Sequence, residues 1–245
     1  MKTGLVFVFV LVGAVSGFRG NFRDYYRQKC SKESWDNIWR STGTVPNKLS
    51  QVPDVPLYME TASGTKIFPN QTLDTAQLLN RPSFKWNADP NALYTLLIED
   101  NDIELGSIKY AHLLVTNIPG SNVYGGDEVI EYIPSFTVNI RDNEKLETRV
   151  NITNRHLVLV YKQPGRINFD KKQSGCNPEI FSNRIIDHDA LQQQYGLQGP
   201  VAGNFYRIGY SSGNTEYYIC YLSACTGRPL PVLLSGINDK PLSEC

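Results

Sequence analysis

The chain has 245 residues, and its 24 lysines and arginines balance 24 aspartates and glutamates, so the formal net charge at pH 7 is +0. No long basic block or arginine-rich stretch interrupts this balance. The composition excludes the electrostatic signature of a nucleic-acid-binding protein and of a polybasic membrane-surface protein. We therefore expect no nucleic-acid partner.

The N-terminus carries the pattern of a secretory signal peptide. Lys2 precedes an apolar run over residues 5–15, and the small residues Ser16 and Gly17 close this run. A positive start, an apolar stretch too short to span a bilayer and small residues at its end are typical of a cleaved signal. We place cleavage after Gly17, so the signal covers residues 1–17. An N-terminal membrane anchor is the alternative.

The rest of the chain is predicted to be secreted and extracellular. No later stretch is long and apolar enough to form a transmembrane segment. Residues 18–45 mix charged and aromatic side chains at loose helical spacing, so we expect a helical N-terminal extension that packs on the domain. No linker, repeat or low-complexity run divides the chain after residue 45. We therefore predict one domain over residues 46–230 and a C-terminal tail over residues 231–245.

Four short apolar runs in this domain are predicted strands. They cover residues 93–98, 112–118, 156–161 and 205–210. They are continuous rather than alternating, which favours strands buried on both faces of a sheet. Between the last two runs, one face of a helix can hold Ile185, Ile186, Leu191 and Tyr195, and Gly196 stands where a glycine ends a helix. Many short strands and few helices predict a mostly β sandwich or roll with peripheral helices.

Five cysteines fit an oxidising compartment. They are Cys30, Cys176, Cys220, Cys225 and Cys245. Their number is odd, so one thiol is free or pairs between chains, and several pairings remain open. A zinc site is disfavoured because no CxxC pair occurs and the three histidines are scattered, so we predict no metal. The sequons at Asn70 and Asn151 predict N-glycosylation of a secreted glycoprotein.

A histidine and an acidic turn are the first candidates for a site. His112 heads one predicted strand, while Asp100 and Asp102 end another. In one interpretation a carboxylate fixes the imidazole so that it presents an N–H to a ligand. In the other, the two groups form a buried pair that joins strand ends, and the acidic triplet is ordinary turn chemistry. His188 lies between two aspartates, which predicts a helix start, and we assign it no chemistry.

Five segments in a fixed order carry a family resemblance. They are residues 80–86, 93–102, 111–120, 155–163 and 195–206, the last of which contains Pro200-Val201-Ala202-Gly203. In this order they resemble the phosphatidylethanolamine-binding protein family, also called the Raf kinase inhibitor protein family. The match covers roughly residues 50–210. It implies a central antiparallel β-sheet packed on a smaller sheet, with a few peripheral helices.

The resemblance also implies a pocket for phosphate-like anions and phospholipid head groups. Family members line it with an acidic residue, two histidines, tyrosines and a glycine-proline loop. The positions of this chain that match the pocket, or that could replace a lost pocket residue, are Asp100, Asp102, His112, Tyr132 and His156.

The pocket motifs are also partly lost. Ala111 replaces one histidine, Asn101 replaces the middle proline of the acidic motif, and Asn154 replaces the second anion-contacting histidine. His156 stands where the family has a tyrosine, and we expect it to replace the missing imidazole in part. The loop after Tyr132 lacks the family's glycines, and the polar run over residues 139–149 is longer than usual.

No catalytic motif accompanies this pocket. The chain contains no Gly-x-Ser-x-Gly elbow, no His-Glu-x-x-His and no phosphate-binding glycine loop. We therefore predict no enzymatic activity and no cofactor. The first functional interpretation is a lipid-binding protein that takes phospholipid head groups or another small anion. The alternatives are an extracellular interaction protein, such as a serine protease inhibitor, and a structural protein with a non-functional pocket.

Overall fold

The computed structural model describes residues 32–102, 109–134, 154–169 and 184–209. Several predictions lie outside these ranges: the signal peptide, all five cysteines, the sequon at Asn151, the polar run over residues 139–149 and the C-terminal tail. No helix within the described ranges is long and apolar enough to cross a membrane.

Nine strands and two α-helices form the described part of the chain. The helices are α1 (Lys32–Ser41) and α2 (His188–Tyr195). The strands are β1 Val55–Pro56, β2 Tyr58–Glu60, β3 Gln71–Asp74, β4 Ser83–Lys85, β5 Leu93–Asp100, β6 Tyr110–Pro119, β7 Asp127–Ile130, β8 Asn154–Lys162 and β9 Gln198–Gly209. Short 3-10 helices occupy Thr75–Leu78 and Val123–Gly125.

A seven-stranded sheet forms the centre of the fold. Its order is β1-β9-β8-β5-β6-β7, and β3 also pairs with β9. The strands from β9 to β7 are antiparallel to their neighbours, whereas β1 and β3 run parallel to β9. Strands β2 and β4 form a separate antiparallel sheet. The prediction of a mostly β fold with a large and a small sheet is therefore confirmed, and the large sheet is mixed at one edge.

The small sheet covers one face of the central strands, which we call the small-sheet face. Leu96, Ile98 and Val158 pack there against Met59 and Phe84 in one hydrophobic cluster. Burial of this apolar surface is the main force that holds the two sheets together.

The helices cover the opposite face, which we call the helix face. Leu97, Leu157 and Phe205 pack there with Trp39 of α1 and Leu191 of α2. Both faces of the central strands are thus buried, as their continuous apolar runs predicted. The central sheet separates two cores, and a polar side chain on these strands enters one core or the other.

Helix α1 is joined to the sheet by two tryptophans. Trp35 and Trp39 are four residues apart and therefore share one face of the helix. The ring of Trp39 lies 4.7 Å from that of Phe205, and Nε1 of Trp35 donates to the Pro53 carbonyl at 2.8 Å. Helix α1 thus packs on the sheet through its two tryptophans.

Helix α2 begins and ends at the signals read in the sequence. The Asp187 side chain accepts from the Asp189 N–H at 2.9 Å as the N-cap, and Gly196 adopts φ 62° after the last turn. The expectation that Ile185 shares the buried face of this helix was wrong. Ile185 precedes the helix, pairs with Tyr110 in an isolated β-bridge and is 48% exposed.

Candidate functional site

A row of three side chains crosses the small-sheet face where the central strands end. Asp100 on β5 lies opposite His156 on β8, and His156 lies opposite Tyr206 on β9. Cross-strand partners point to the same face, so the three side chains are neighbours. The rings of His156 and Tyr206 stack with centroids 5.3 Å apart, and Nε2 of His156 is 3.8 Å from Oδ2 of Asp100.

His112 joins this row because strand β6 carries a bulge. Ile98 pairs with Leu113 and Glu99 pairs with Ala111, so one step along β5 corresponds to two steps along β6. His112 is the extra residue. A bulge re-aims a side chain, and here it directs the imidazole to the small-sheet face.

The two imidazoles face each other directly. Their Nε2 atoms are 3.2 Å apart, so in the neutral pair one ring donates to the other. Nδ1 of His112 lies 3.3 Å from the Ile133 carbonyl, which can only accept, so this nitrogen carries the proton. The lone pair of His112 is therefore on Nε2, and His156 donates to it. The Ile133 N–H also donates to the His112 carbonyl at 3.0 Å, which holds the segment after Tyr132 against this histidine.

Burial controls the charge of this cluster. Asp100, His112 and His156 are all 0% exposed. Desolvation lowers the pKa of His112 well below its usual value, and the charges of His156 and Arg184 lower it further. Desolvation also lowers the pKa of His156, against the opposing effect of Asp100. Both imidazoles are therefore neutral near pH 7, while burial raises the pKa of Asp100.

Two donors orient the Asp100 carboxylate. The Asn154 amide donates to Oδ2 at 2.9 Å, and the Asp102 N–H donates to Oδ1 at 2.9 Å. The sequence resemblance aligns Asn154 with the family's second anion-contacting histidine. Here it fixes the carboxylate that faces His156. The structure thus places His156, rather than a carboxylate, against Nε2 of His112.

Asp102 contacts two basic residues rather than the two imidazoles. Its carboxylate lies 3.1 Å from Nζ of Lys48 and accepts from the Arg155 N–H at 2.9 Å. These contacts tie the ends of β5 and β8 to the loop after α1. Asp102 therefore lies beside the site and helps to shape it, but it is not one of the side chains that meet there, which are Asp100, His112 and His156.

Tyrosines surround the histidines. The Tyr110 ring packs edge-on against His112 with centroids 5.4 Å apart, and Tyr206 covers His156. The half-buried Tyr132 donates its hydroxyl to the Leu78 carbonyl at 2.6 Å, and desolvation raises the pKa of this hydroxyl well above its usual value. Tyr110 and Tyr206 were missed in the sequence, where only the sheet register could have shown that they flank the pair.

A buried arginine lies beside His112. Arg184 is 1% exposed and donates to the carbonyls of Ala111 at 3.3 Å and Glu131 at 3.0 Å. Its guanidinium keeps its charge even when buried. No motif surrounds Arg184 in the sequence, and it reaches the site only through the fold.

A second polar pair lies on the helix face. His188 and Glu99 are both 0% exposed, and Nδ1 of His188 is 2.5 Å from Oε1 of Glu99. The Asn101 amide donates to the same oxygen at 2.7 Å. His188 begins α2 as predicted, but it also holds a buried carboxylate on strand β5, which the sequence did not indicate.

The sequon at Asn70 lies in a turn. Asn70 is half-buried with φ 61°, and its side-chain oxygen accepts from Nε of Arg207 at 2.9 Å. Glycosylation at Asn70 stays a prediction.

Comparison with known proteins places these features in context. No protein-family model matches the sequence. The chain is 30% identical over 179 residues to a 26 kDa secreted antigen of Toxocara canis, which aligns 68% of this chain with 61% of that protein. It is 27% identical over 186 residues to the putative odorant-binding protein A5 of Drosophila melanogaster, covering 74% of this chain and 83% of that protein.

Two solved structures share the architecture. The carboxypeptidase Y inhibitor, solved with its cognate proteinase, superposes with a TM-score of 0.53 at 19% identity and covers 73% of this chain and 96% of its own. The phosphatidylethanolamine-binding protein of Plasmodium vivax gives a TM-score of 0.52 at 15% identity, covering 71% and 97%. These likenesses, together with the sheet topology, confirm the family resemblance of the sequence motifs: the chain has the fold of the phosphatidylethanolamine-binding proteins.

Proposed function

We propose that this chain is an extracellular binding protein that takes the phosphate group of a phospholipid head group, or a similar small anion, at the His112–His156 pair. The observation that carries the proposal is the 3.2 Å approach of two buried imidazoles beside the buried guanidinium of Arg184. Imidazole N–H groups and an arginine are the donors that anionic oxygens accept from.

The polarity of the site fits a zwitterionic head group better than a simple anion. A phosphate oxygen that enters between the rings accepts the N–H that His156 now donates to His112. The Asp100 carboxylate, 3.8 Å from His156, is positioned for the ammonium group of phosphoethanolamine. Inorganic phosphate has no ammonium group, so its negative charge would be repelled by the negative charge of this carboxylate. We therefore expect phosphoethanolamine to bind more tightly than inorganic phosphate.

Access to the site requires a movement of the chain. Both histidines are 0% exposed, and Ile133 contacts His112 through its N–H and its carbonyl. These two hydrogen bonds must open for a ligand to reach the rings. We expect ligand binding to displace the segment after Tyr132.

The comparisons support a binding role in the extracellular space. The Toxocara canis relative is named a secreted antigen and the Drosophila melanogaster relative an odorant-binding protein. The two solved structures are named a binding protein and an inhibitor. This chain aligns with only 61% of the length of the Toxocara canis protein. The activity and partners proposed for this chain are therefore proposals and are not carried over from that relative.

Calorimetric titration with phosphoethanolamine tests the proposal. We expect the wild-type chain to bind and the His112→Ala variant to lose binding. His188→Gln is the matched control, because it removes a fully buried histidine on the other face of the sheet. Equally weak binding by the wild type and by His112→Ala would overturn the proposal, whereas loss of the preference over phosphate in Asp100→Asn would support it.

A protein partner is the second candidate, and one surface residue favours it. Tyr124 is 78% exposed at the turn before β7, and its ring lies 4.8 Å from the Arg81 guanidinium carbon. Arg81 is itself held by Glu128 at 2.6 Å. Tyrosine and arginine are enriched in protein interfaces. An inhibition assay against serine proteases and carboxypeptidases, with wild type and Tyr124→Ala, tests this alternative: inhibition that Tyr124→Ala weakens supports it.

A further inference from the structure

We propose that Asp100, His112 and His156 form a binding site for a divalent transition metal of the zinc class, with both histidines coordinating through Nε2. This inference uses residues of the proposed ligand site but does not depend on the head group. The three residues come from strands β5, β6 and β8. In the sequence they are separated by 12 and 44 positions, so no ligand-spacing motif marks them, and this proposal departs from the sequence-based prediction of no metal.

The separation of the ligand atoms is the first argument. Zn–N bonds of about 2.0–2.1 Å at tetrahedral angles place two ligand nitrogens about 3.3 Å apart. The two Nε2 atoms are 3.2 Å apart. One potential ligand atom from each of the three residues lies within 4.8 Å of the others, and Oδ2 of Asp100 is 3.8 Å from His156. The widest of these separations, up to 4.8 Å, must shorten by up to about 1.5 Å to reach the spacing of about 3.3 Å that tetrahedral coordination requires, which a movement of the Asp100 carboxylate can supply.

The tautomers are the second argument. The Ile133 carbonyl accepts from Nδ1 of His112, which places the lone pair that a metal requires on Nε2. Histidine ligands are typically oriented by such a hydrogen bond from the other ring nitrogen to a carbonyl. Nδ1 of His156 has no hydrogen bond of normal geometry within the described ranges, so it can take the ring proton. Moving the proton from Nε2 gives up the hydrogen bond to His112, and a metal bound by the two Nε2 atoms would replace that contact. Both Nε2 atoms can therefore coordinate at the same time.

The surroundings of the carboxylate are the third argument. Asn154 and the Asp102 N–H hold the two oxygens of Asp100, as a second shell holds a metal-bound carboxylate. The positive charge of Arg184 beside His112 opposes the binding of a metal cation. Its guanidinium is held by the carbonyls of Ala111 and Glu131, to which it donates. Three protein ligands leave a fourth position open. A phosphate oxygen could occupy that position, and the metal would add the positive charge that neutral imidazoles lack.

Zinc titration of the chelator-treated full chain, followed by calorimetry, tests the inference. We expect one zinc ion per chain in the wild type and no binding at this site in Asp100→Asn or His156→Gln. The matched control is His188→Gln, which removes the buried histidine of the other face and should retain wild-type affinity. Unchanged zinc affinity in Asp100→Asn and His156→Gln would overturn the inference.

Cobalt substitution distinguishes metal binding at this site from metal binding by the five cysteines. Cobalt bound by nitrogen and oxygen ligands absorbs in the visible range without the near-ultraviolet charge-transfer band of a cobalt–thiolate bond. A spectrum with the thiolate band alone would refute the site. If a histidine variant does not fold, Asn154→Ala provides the second test, because it touches no metal and should weaken zinc binding about tenfold or more.

The same samples distinguish the proposal of a head-group site from the proposal of a zinc site. Head-group binding to the metal-free chain would support the proposed function whatever zinc does. Zinc binding without any head-group binding would support the metal site and refute the proposed ligand.

Discussion

The Nε2 atoms of His112 and His156 lie 3.2 Å apart, although the two residues stand on strands β6 and β8, which are not neighbours in the sheet. Strand β5 runs between them and contributes Asp100. The pair therefore forms where the ends of three strands converge. Its geometry depends on the bulge in β6 and on the donors that hold Asp100.

The Asn154→Ala variant tests how the carboxylate is held. Removing the amide leaves Oδ2 of the buried Asp100 without its side-chain donor. We expect a loss of about 1–3 kcal/mol in the free energy of unfolding, since a buried acceptor is left unsatisfied. Urea unfolding followed by circular dichroism measures it. Asn91→Ala removes an exposed amide and should stay close to wild type; equal stability of the two variants would contradict this account of Asp100.

The His188→Ala variant tests the second buried pair. It removes one of the two partners of Oε1 of Glu99 and leaves the Asn101 amide as the other, while Oε2 of Glu99 has no hydrogen bond within the described ranges. Breaking a buried pair in this way destabilises a protein by about 3–5 kcal/mol. Adding Glu99→Gln removes the stranded charge, so the double variant should be more stable than the sum of the single losses.

The control for this pair is an ion pair on the surface of α1. The Arg40 and Asp36 side chains are both about half exposed, so removing Arg40 should leave the denaturation midpoint close to that of the wild type. Strictly additive losses at Glu99 and His188, measured by chemical unfolding, would show that the two residues do not act as a pair.

Trp39→Ala tests whether α1 is part of the fold. Trp39 is 0% exposed and packs on Phe205, so its truncation should cost about 3–5 kcal/mol through the cavity it leaves. Tyr124→Ala truncates an aromatic side chain that is 78% exposed, and we expect a loss of under about 1 kcal/mol. The midpoint temperatures of thermal unfolding of the two variants test this prediction. Similar midpoints would mean that the packing of α1 does not contribute to the stability of the fold.

Gly203→Ala tests the close contact between β9 and the segment before β1. A Cβ at position 203 would lie 2.5 Å from Cγ of Pro53, which belongs to a ring that cannot turn away. Overpacking of this kind costs about 1–3 kcal/mol. At Gly165 a Cβ would meet nothing within 4 Å, so Gly165→Ala should stay within about 0.5 kcal/mol of wild type. Denaturant midpoints of the two variants should therefore differ; equal midpoints would count against the contact.

Strand β9 shows where sequence patterns were insufficient. The apolar run predicted a strand from residue 205, but β9 begins at Gln198 and contains Pro200 and Gly203. Proline and glycine ordinarily argue against a strand interior. Here the register of β8 and β9 shifts between Val160 and Lys162, close to Pro200, and proline is tolerated at such irregularities.

The sequence by itself determined the main strands and the residue types at their ends. The apolar runs are continuous because both faces of the sheet are buried, and the motifs around Asp100 and His112 pointed to the correct strand ends. Only the tertiary structure decided which face each side chain takes. One extra residue in β6 reverses the direction of the side chains beyond it, and the position of that residue is set by pairing with β5. The same pairing brings His112 to His156 and Asp100, and leaves Glu99 to His188 on the opposite face.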